Sequence, residues 1–173
     1  QKIPDAKDIL EAMPLAAELG QLVLGTVTQT HALAAVRAGR LSQALDRFDR
    51  AEAILAGAGW PLGEVYLERV DAFVALRLVA EAEDAASRAI RALDVPGGAM
   101  LRAEALLHHA RVLRWGGQLV DARQAAERAV ELFGRQRRHA FRAQADVVAV
   151  EVAWSERAAT VDADQGNGLP GVL

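Results

Sequence analysis

The sequence predicts an all-α protein, and three observations lead to this prediction. Ala occurs 37 times and Leu 22 times among the 173 residues, and both lose little entropy in a helix. Pro is rare, with five residues, and Gly and Pro fall at nearly even intervals along the chain. Between these breaks the apolar residues recur at helical spacing. The length suits a single core, so we expect one helical domain.

Gly and Pro set the predicted boundaries of the helices. Gly39 and Gly134 stand where a left-handed residue ends a helix, and Pro61 stands in a first turn, where no amide donor is needed. Pro14 removes a backbone hydrogen bond, so the first helix should kink or break there. These signals predict about eight helices, at 4–19, 22–38, 41–57, 61–76, 79–94, 98–115, 119–134 and 137–158.

The C-terminal part of the chain has a different composition. From about residue 160 the sequence TVDADQGNGLPGVL is Gly-rich and has no helical period. We therefore divide the chain into a helical domain, 1–158, and a flexible tail or linker, 159–173.

An internal repeat is the most specific pattern in the sequence. Gly39, Leu41, Ala44, Phe48 and Ala51 correspond to Arg77, Val79, Ala82, Ala86 and Ala89 at an offset of 38 residues, and these correspond to Gly117, Leu119, Ala122, Ala126 and Ala129 at an offset of 40. Ala at intervals of three and four forms a smooth stripe, which lets neighbouring helices approach closely. The repeat therefore predicts stacked helix pairs.

This order of Gly, a large apolar residue and spaced Ala resembles the second half of the tetratricopeptide repeat, TPR. The resemblance covers residues 1 to about 158 and implies a right-handed α-solenoid of antiparallel helix pairs. The usual Trp and Tyr of the first helix are absent, Arg77 replaces one expected Gly, and the repeats exceed the usual length of about 34 residues. The chain is similar to a degenerate TPR array.

Several segments look more particularly like the Ala- and Arg-rich TPR arrays of actinobacterial proteins. These are RLSQALDRFDRAEAIL, LVAEAEDAASRAIRAL and GGQLVDARQAAERAVELFGRQRR. One such setting is the array preceding a caspase-like CHAT protease domain, which WPLGEVYLERVDAFVAL also resembles; this implies a scaffold that binds a peptide or packs against an effector domain of its own longer chain. The alternative is the sensory or regulatory array of a bacterial transcriptional regulator.

The sequence holds no recognisable catalytic, cofactor or metal motif. HExxH, ExxH, GxSxG and Cys are absent, and GAGWPLG at 57–63 lacks the Lys of a phosphate-binding loop. His108 and His109 point about 100° apart on a helix, so the pair alone cannot chelate one ion. We therefore predict a non-enzymatic protein with no cofactor and no metal. A helical enzyme with an unrecognised site is the remaining alternative.

Charge is distributed unevenly along the chain. The net charge is −3, but residues 102–142 hold nine Arg against four acidic residues. One interpretation is an ordinary solvated surface, and the sharper one is a basic patch for an acidic partner segment or a domain of the same parent chain. Aromatic residues do not alternate with these Arg, so we do not predict a nucleic-acid partner.

The solenoid geometry implied by the resemblance selects a candidate peptide-binding groove. In a TPR-like superhelix the first helix of each pair lines the concave face. Leucines at these positions are equally suited to packing in the core. Arg111, Arg114 and Arg142 are the strongest candidates, because an unpaired buried guanidinium is costly. The predicted groove residues are Gln29, Leu33, Arg37, Leu67, Asp71, Arg111, Arg114, Arg138 and Arg142.

The expected compartment is the cytoplasm. The chain has no Cys, no run of 18 apolar residues and no leader-like N-terminus, so we expect neither a disulfide scaffold nor a membrane partner. Gln1 in place of an initiator Met predicts a processed chain or a piece of a longer one.

Overall fold

The computed structural model describes the backbone of residues 6–166 and the side chains of residues 15–159, and within this part all regular structure is α-helical. The expected all-α class is confirmed. The seven helices are α1 Ala6–Arg37, α2 Leu41–Gly57, α3 Gly63–Ala75, α4 Val79–Ala92, α5 Ala99–Trp115, α6 Leu119–Arg135 and α7 His139–Gly166.

Most successive helices pack as neighbours, and the odd-numbered helices also touch one another. The closest pairs are α1 with α2, α3 with α4, α5 with α6, and α6 with α7. Contacts also join α1 to α3, α3 to α5, and α5 to α7. The odd-numbered helices therefore form a row, with α2, α4 and α6 beside it.

The core consists of the predicted Ala stripes and a few large side chains. Ala82, Ala86, Ala122 and Ala126 are fully buried. Phe48 and Phe73 meet edge to face at 5.5 Å between ring centroids, and Phe133 stacks on Phe141 at 5.4 Å. The small residues bring helix backbones together, and the aromatic rings occupy the space left beside them.

The repeat is visible in the backbone of the turns. The turns from α1 to α2, from α3 to α4 and from α5 to α6 each place a left-handed residue two positions before the next helix: Gly39 with φ 70°, Arg77 with φ 60° and Gly117 with φ 78°. Gly97, with φ 87°, has the same place before α5. Arg77 thus adopts the conformation of the Gly it replaces, at a cost that Gly avoids. The same geometry returns at Arg137, with φ 56°, before α7. The turn that joins α6 to α7 is therefore of the same type.

The prediction of two separate helices at 4–19 and 22–38 is wrong. The helix α1 runs without a break from Ala6 to Arg37, through both Pro14 and Gly20. Gly in a helix costs only about 1 kcal/mol relative to Ala, and the helix continues at that cost. The number of helices in residues 6–166 is consequently seven.

The last helix extends past the predicted boundary of the helical domain. We expected helix to end near 158, but α7 continues to Gly166. The remaining residues of the predicted tail, 167–173, lie outside the described residues. The division at 158 stays a prediction.

Candidate functional site

Three predicted arginines, Arg111 and Arg114 on α5 and Arg138 just before α7, contact residues of neighbouring helices. Arg114 pairs with Glu151 at 3.2 Å, and Arg138 pairs with Glu104 at 2.6 Å. Arg111 donates a hydrogen bond to the Gln144 amide oxygen at 3.2 Å. Two of the three arginines therefore meet carboxylates of the chain itself. Arg111 alone has no ion pair with another described residue.

The same surface continues onto α3. Asp71 is exposed, and its carboxylate lies 3.3 Å from Nδ1 of His108 on α5. Burial lowers the pKa of His108 below its ordinary value, against the opposing charge of Asp71. We call the surface formed by Asp71, His108, Arg111, Arg114, Gln144 and Glu151 the odd-helix face.

Most of the predicted residues on α1, together with Leu67 on α3, pack within the chain. Gln29 is 4% exposed and donates a hydrogen bond to the backbone oxygen of Val65 at 3.2 Å. Leu33 and Leu67 are half-buried and pack against the core, while Arg37 is exposed. Gln29 therefore ties α1 to α3 and is not exposed to a partner.

Arg142 lies apart from the other predicted arginines. It is four residues from Asp146, with 3.8 Å between the charged groups, and its side chain approaches Gly134 on α6. Around α7 it lies about 160° from Gln144, which contacts Arg111. The structure thus does not bring Arg142 together with Arg111 and Arg114.

A stripe of exposed apolar side chains lies beside the odd-helix face on α7. Val147 is 57% exposed, Val150 69% and Trp154 76%. At about 100° per residue these side chains lie roughly 60° to 120° around α7 from Gln144. We call these three residues the α7 stripe. Spacing alone did not identify it, although Val147, Val150 and Trp154 follow a helical period.

Two further grooves lie on the opposite side, between neighbouring even-numbered helices. The first groove lies between α2 and α4, has a volume of about 360 Å³, and includes Arg69 and Arg88 in its lining. The second groove lies between α4 and α6 and also measures about 360 Å³. The offset of 40 residues relates Arg69 to His109 and Arg88 to Arg128, so the two grooves are equivalent.

The charges of the first groove are paired with one another. Glu52 accepts hydrogen bonds from Tyr66 at 2.8 Å, from Arg69 at 2.7 Å and from Arg88 at 2.9 Å. Arg69 is only 4% exposed, and it also donates to the backbone oxygen of Phe48. Burial opposes ionisation of Glu52, but the hydrogen bond from Tyr66 and the charge of Arg69 outweigh it and lower its pKa. Arg88 also pairs with Asp84 at 3.0 Å, so the four charges of the cluster sum to zero.

The second groove is lined by side chains of mixed chemistry. Ser87 Oγ lies 3.4 Å from His109 Nε2 at its centre, and Gln118 donates to Glu83 at 2.8 Å at one end. Burial lowers the pKa of His109, with Glu83 and Asp121 opposing, so its imidazole is neutral at pH 7. The full lining is Glu83, Ser87, Ile90, Arg91, Leu106, His109, Leu113, Gln118, Asp121, Gln124, Ala125 and Arg128.

Sequence reasoning missed the second groove because its residues come from three helices. The available signal was the repeat itself. When α3 is aligned with α5 at the offset of 40 residues, His109 corresponds to Arg69. The alignment therefore predicts an ionisable side chain at the same position in both grooves. His108 and His109 diverge as predicted, toward Asp71 and Ser87 respectively.

The described part of the chain contains no group of three or more His, Cys, Asp or Glu side chains arranged to hold a metal ion. Within the same residues no helix combines the length and apolarity needed to cross a bilayer. Comparison with protein-family models, with curated proteins and with solved structures gives no significant match to this chain.

Proposed function

We propose that the chain is a non-enzymatic interaction scaffold, a TPR-like right-handed α-solenoid that binds a peptide segment or an effector domain of a longer chain. The sequence repeat, the recurring left-handed turn residues and the row of odd-numbered helices support the solenoid. In such arrays each repeat contacts its neighbours and leaves an extended face for partners.

The observation that carries the proposal is the α7 stripe beside the odd-helix face. Trp154 is 76% exposed, although a Trp side chain contributes a large apolar area when it is buried. Contiguous exposed apolar side chains rimmed by polar ones mark interaction surfaces. Val147 lies one helical turn from Gln144, which Arg111 contacts, so a partner on the α7 stripe can extend to Arg111.

The polar neighbours of the α7 stripe specify the chemistry of the partner. Arg111 contacts only the neutral amide of Gln144 among the described residues, so a partner carboxylate gains a charge-assisted contact there. Arg114 must first give up Glu151, which reduces its net contribution. We therefore expect a helical partner segment with apolar residues on one side and acidic residues beside them. No described feature favours the regulatory alternative.

A pair of designed amphipathic helical peptides tests this function. One peptide carries Glu beside its apolar face, and the other carries Gln at the same positions. We expect the Glu peptide to bind more tightly and to shift the fluorescence of Trp154 to shorter wavelength. Arg111→Ala should abolish the preference for Glu, and Trp154→Ala should weaken both peptides.

Arg123 provides the matched control because it lies on α6, where its guanidinium is 3.8 Å from Glu156. Arg123→Ala should leave the preference for Glu unchanged, at two salt concentrations. Equal losses for Arg111→Ala and Arg123→Ala would indicate a diffuse charge effect and contradict the proposed surface, as would the absence of binding by either peptide.

A further inference from the structure

The second groove has a polar arrangement that the proposed scaffold function does not use. It lies on the side of the even-numbered helices, away from the odd-helix face. Its floor is apolar, since Leu106, Leu113 and Ala125 are buried. Polar side chains stand at the centre and at both ends. A concave site with an apolar floor and a few convergent polar groups is the usual form of a small-ligand site.

Charges of opposite sign lie at opposite ends of the second groove. Glu83 and Asp121 are near the starts of α4 and α6, and the hydrogen bond from Gln118 to Glu83 shows that these starts are adjacent. Arg91 and Arg128 stand further along the same two helices. The groove is therefore acidic at one end and basic at the other.

The charged residues at the ends of the second groove are available to a ligand. Asp121, Arg91 and Arg128 make no ion pair with another described residue. The equivalent of Arg128 in the first groove is Arg88, which contacts both Glu52 and Asp84. In the second groove Ile90 occupies the position of Glu52 and Gln124 that of Asp84, so this intramolecular neutralisation does not occur.

The length of the second groove sets the size of the ligand. At 1.5 Å per residue, Glu83 and Arg91 are separated by about 12 Å along α4, and Asp121 and Arg128 by about 10 Å along α6. An extended peptide spans about 3.3 to 3.6 Å per residue, so three residues reach from end to end. We propose that the second groove binds a short peptide of about three residues, with its free ammonium at Glu83 and Asp121 and its free carboxylate at Arg91 and Arg128.

The centre of the second groove suits the peptide backbone of such a ligand. Ser87, His109 and Gln124 offer donors and acceptors between the charged ends. The neutral imidazole of His109 exchanges hydrogen bonds with amide groups and adds no charge to the acidic end. Small side chains of the peptide lie over Leu106 and Leu113.

Trialanine and its two blocked forms test the inference by NMR titration of the full chain. We expect saturable shifts for trialanine that are concentrated at Ser87, His109 and Gln124. Acetylation of the peptide amine should weaken binding by up to about fivefold, as should amidation of its carboxylate, because exposed ion pairs contribute about that much.

Two substitutions identify which end binds which group. Asp121→Asn should weaken the binding of trialanine by up to about fivefold but leave the binding of the acetylated peptide unaffected. Arg128→Gln should weaken trialanine similarly and leave the amidated peptide unaffected. Arg123→Gln, on the same helix outside the groove, should change neither.

Three outcomes would overturn the inference. The first is the absence of a saturable shift with trialanine. The second is an equal loss for Arg123→Gln and Arg128→Gln. The third is that Asp121→Asn weakens the binding of free trialanine and of the acetylated peptide by the same factor. None of these outcomes affects the proposed surface on α5 and α7, so the two proposals fail separately.

Discussion

The first and second grooves have the same volume and equivalent lining positions, yet their charged residues have different partners. In the first groove Arg69 and Arg88 both contact Glu52. In the second groove His109 contacts Ser87, and Arg128 has no ion pair with a described residue. A repeat thus fixes where side chains stand, while substitutions at equivalent positions decide whether their charges are paired within the fold.

Glu52 is the residue that joins the two arginines of the first groove. Its equivalent at the offset of 38 residues is Ile90, which packs against the apolar core. The carboxylate of Glu52 binds both Arg69 and Arg88. The aliphatic side chain of Ile90 offers no such anion to the equivalent residues, His109 and Arg128. The first groove is therefore part of the stabilising interior, and the second groove retains its charges for contacts outside the chain.

The largest expected effect is loss of the carboxylate in the first groove. Glu52→Gln leaves the buried guanidinium of Arg69 without its anion, and this should lower the free energy of unfolding by about 3 kcal/mol. Asp84→Asn is the matched control, because the pair of Asp84 and Arg88 is exposed and contributes at most about 1 kcal/mol. Urea unfolding measures both. Equal losses would show that the first groove is no more buried than the surface.

Overpacking the helix beneath the second groove should have the next largest effect. Ala126 is fully buried in the stripe that sets the approach of α6, so Ala126→Leu should destabilise by about 1 to 3 kcal/mol. Ala158→Leu on the exposed part of α7 should be nearly neutral. Urea midpoints that fall together would contradict the assignment of this stripe to close helix packing.

The turn between α3 and α4 offers a smaller, stabilising change. Arg77 has φ 60° where the equivalent turns use Gly39 and Gly117. Arg77→Gly should raise stability by up to about 1 kcal/mol, since Gly removes the cost of the left-handed conformation. The reverse change, Gly117→Arg, should lower it by a similar amount. Thermal unfolding that orders the two variants oppositely would show that the turns are not equivalent.

The smallest expected effect is a difference in pH dependence. The pKa of His109 is lowered by burial below 6.5, so the unfolded chain binds the proton more readily. The stability associated with neutral His109 is complete above pH 6.5 and is lost as the pH falls toward the lower folded value. His109→Gln should therefore make unfolding less dependent on pH just below 6.5. Identical slopes for both proteins would contradict the burial of this imidazole.

The first groove should respond to acid at lower pH. The pKa of Glu52 lies below 4.5 despite burial, because Tyr66 and Arg69 stabilise its anion. Its stabilising contribution is present above pH 4.5 and is lost as the pH falls through the lowered value. The two grooves are consequently distinguished by the pH at which each loses stability.

Much of the helical organisation could be predicted from the sequence because spacing determines it. The Ala stripes and the turn residues Gly39 and Gly117 placed the middle helices within a few residues. The continuous α1 was not predicted, because a Gly such as Gly20 breaks a helix only when tertiary contacts favour the break. The positions of Gly and Pro in the sequence do not show which tertiary contacts are present.

The candidate sites were predicted less well, because they depend on how far side chains reach from one helix to another. Arg111 and Arg114 both contact α7, but periodicity could not reveal that Glu151 extends from α7 to pair with Arg114. Likewise the contact of Ser87 with His109 joins two helices. Such contacts depend on the lateral distance between helices, which spacing along one helix does not encode.

One substitution tests most directly whether the carboxylate of Glu52 accounts for the different pairing of charges in the two grooves. Ile90→Glu places in the second groove the carboxylate that Glu52 provides in the first, next to His109 and Arg128. We expect NMR titration to give a higher pKa for His109 in this variant than in the natural chain, because the new anion stabilises the imidazolium. An unchanged or lower pKa for His109 in a folded Ile90→Glu protein would contradict the equivalence of the two grooves.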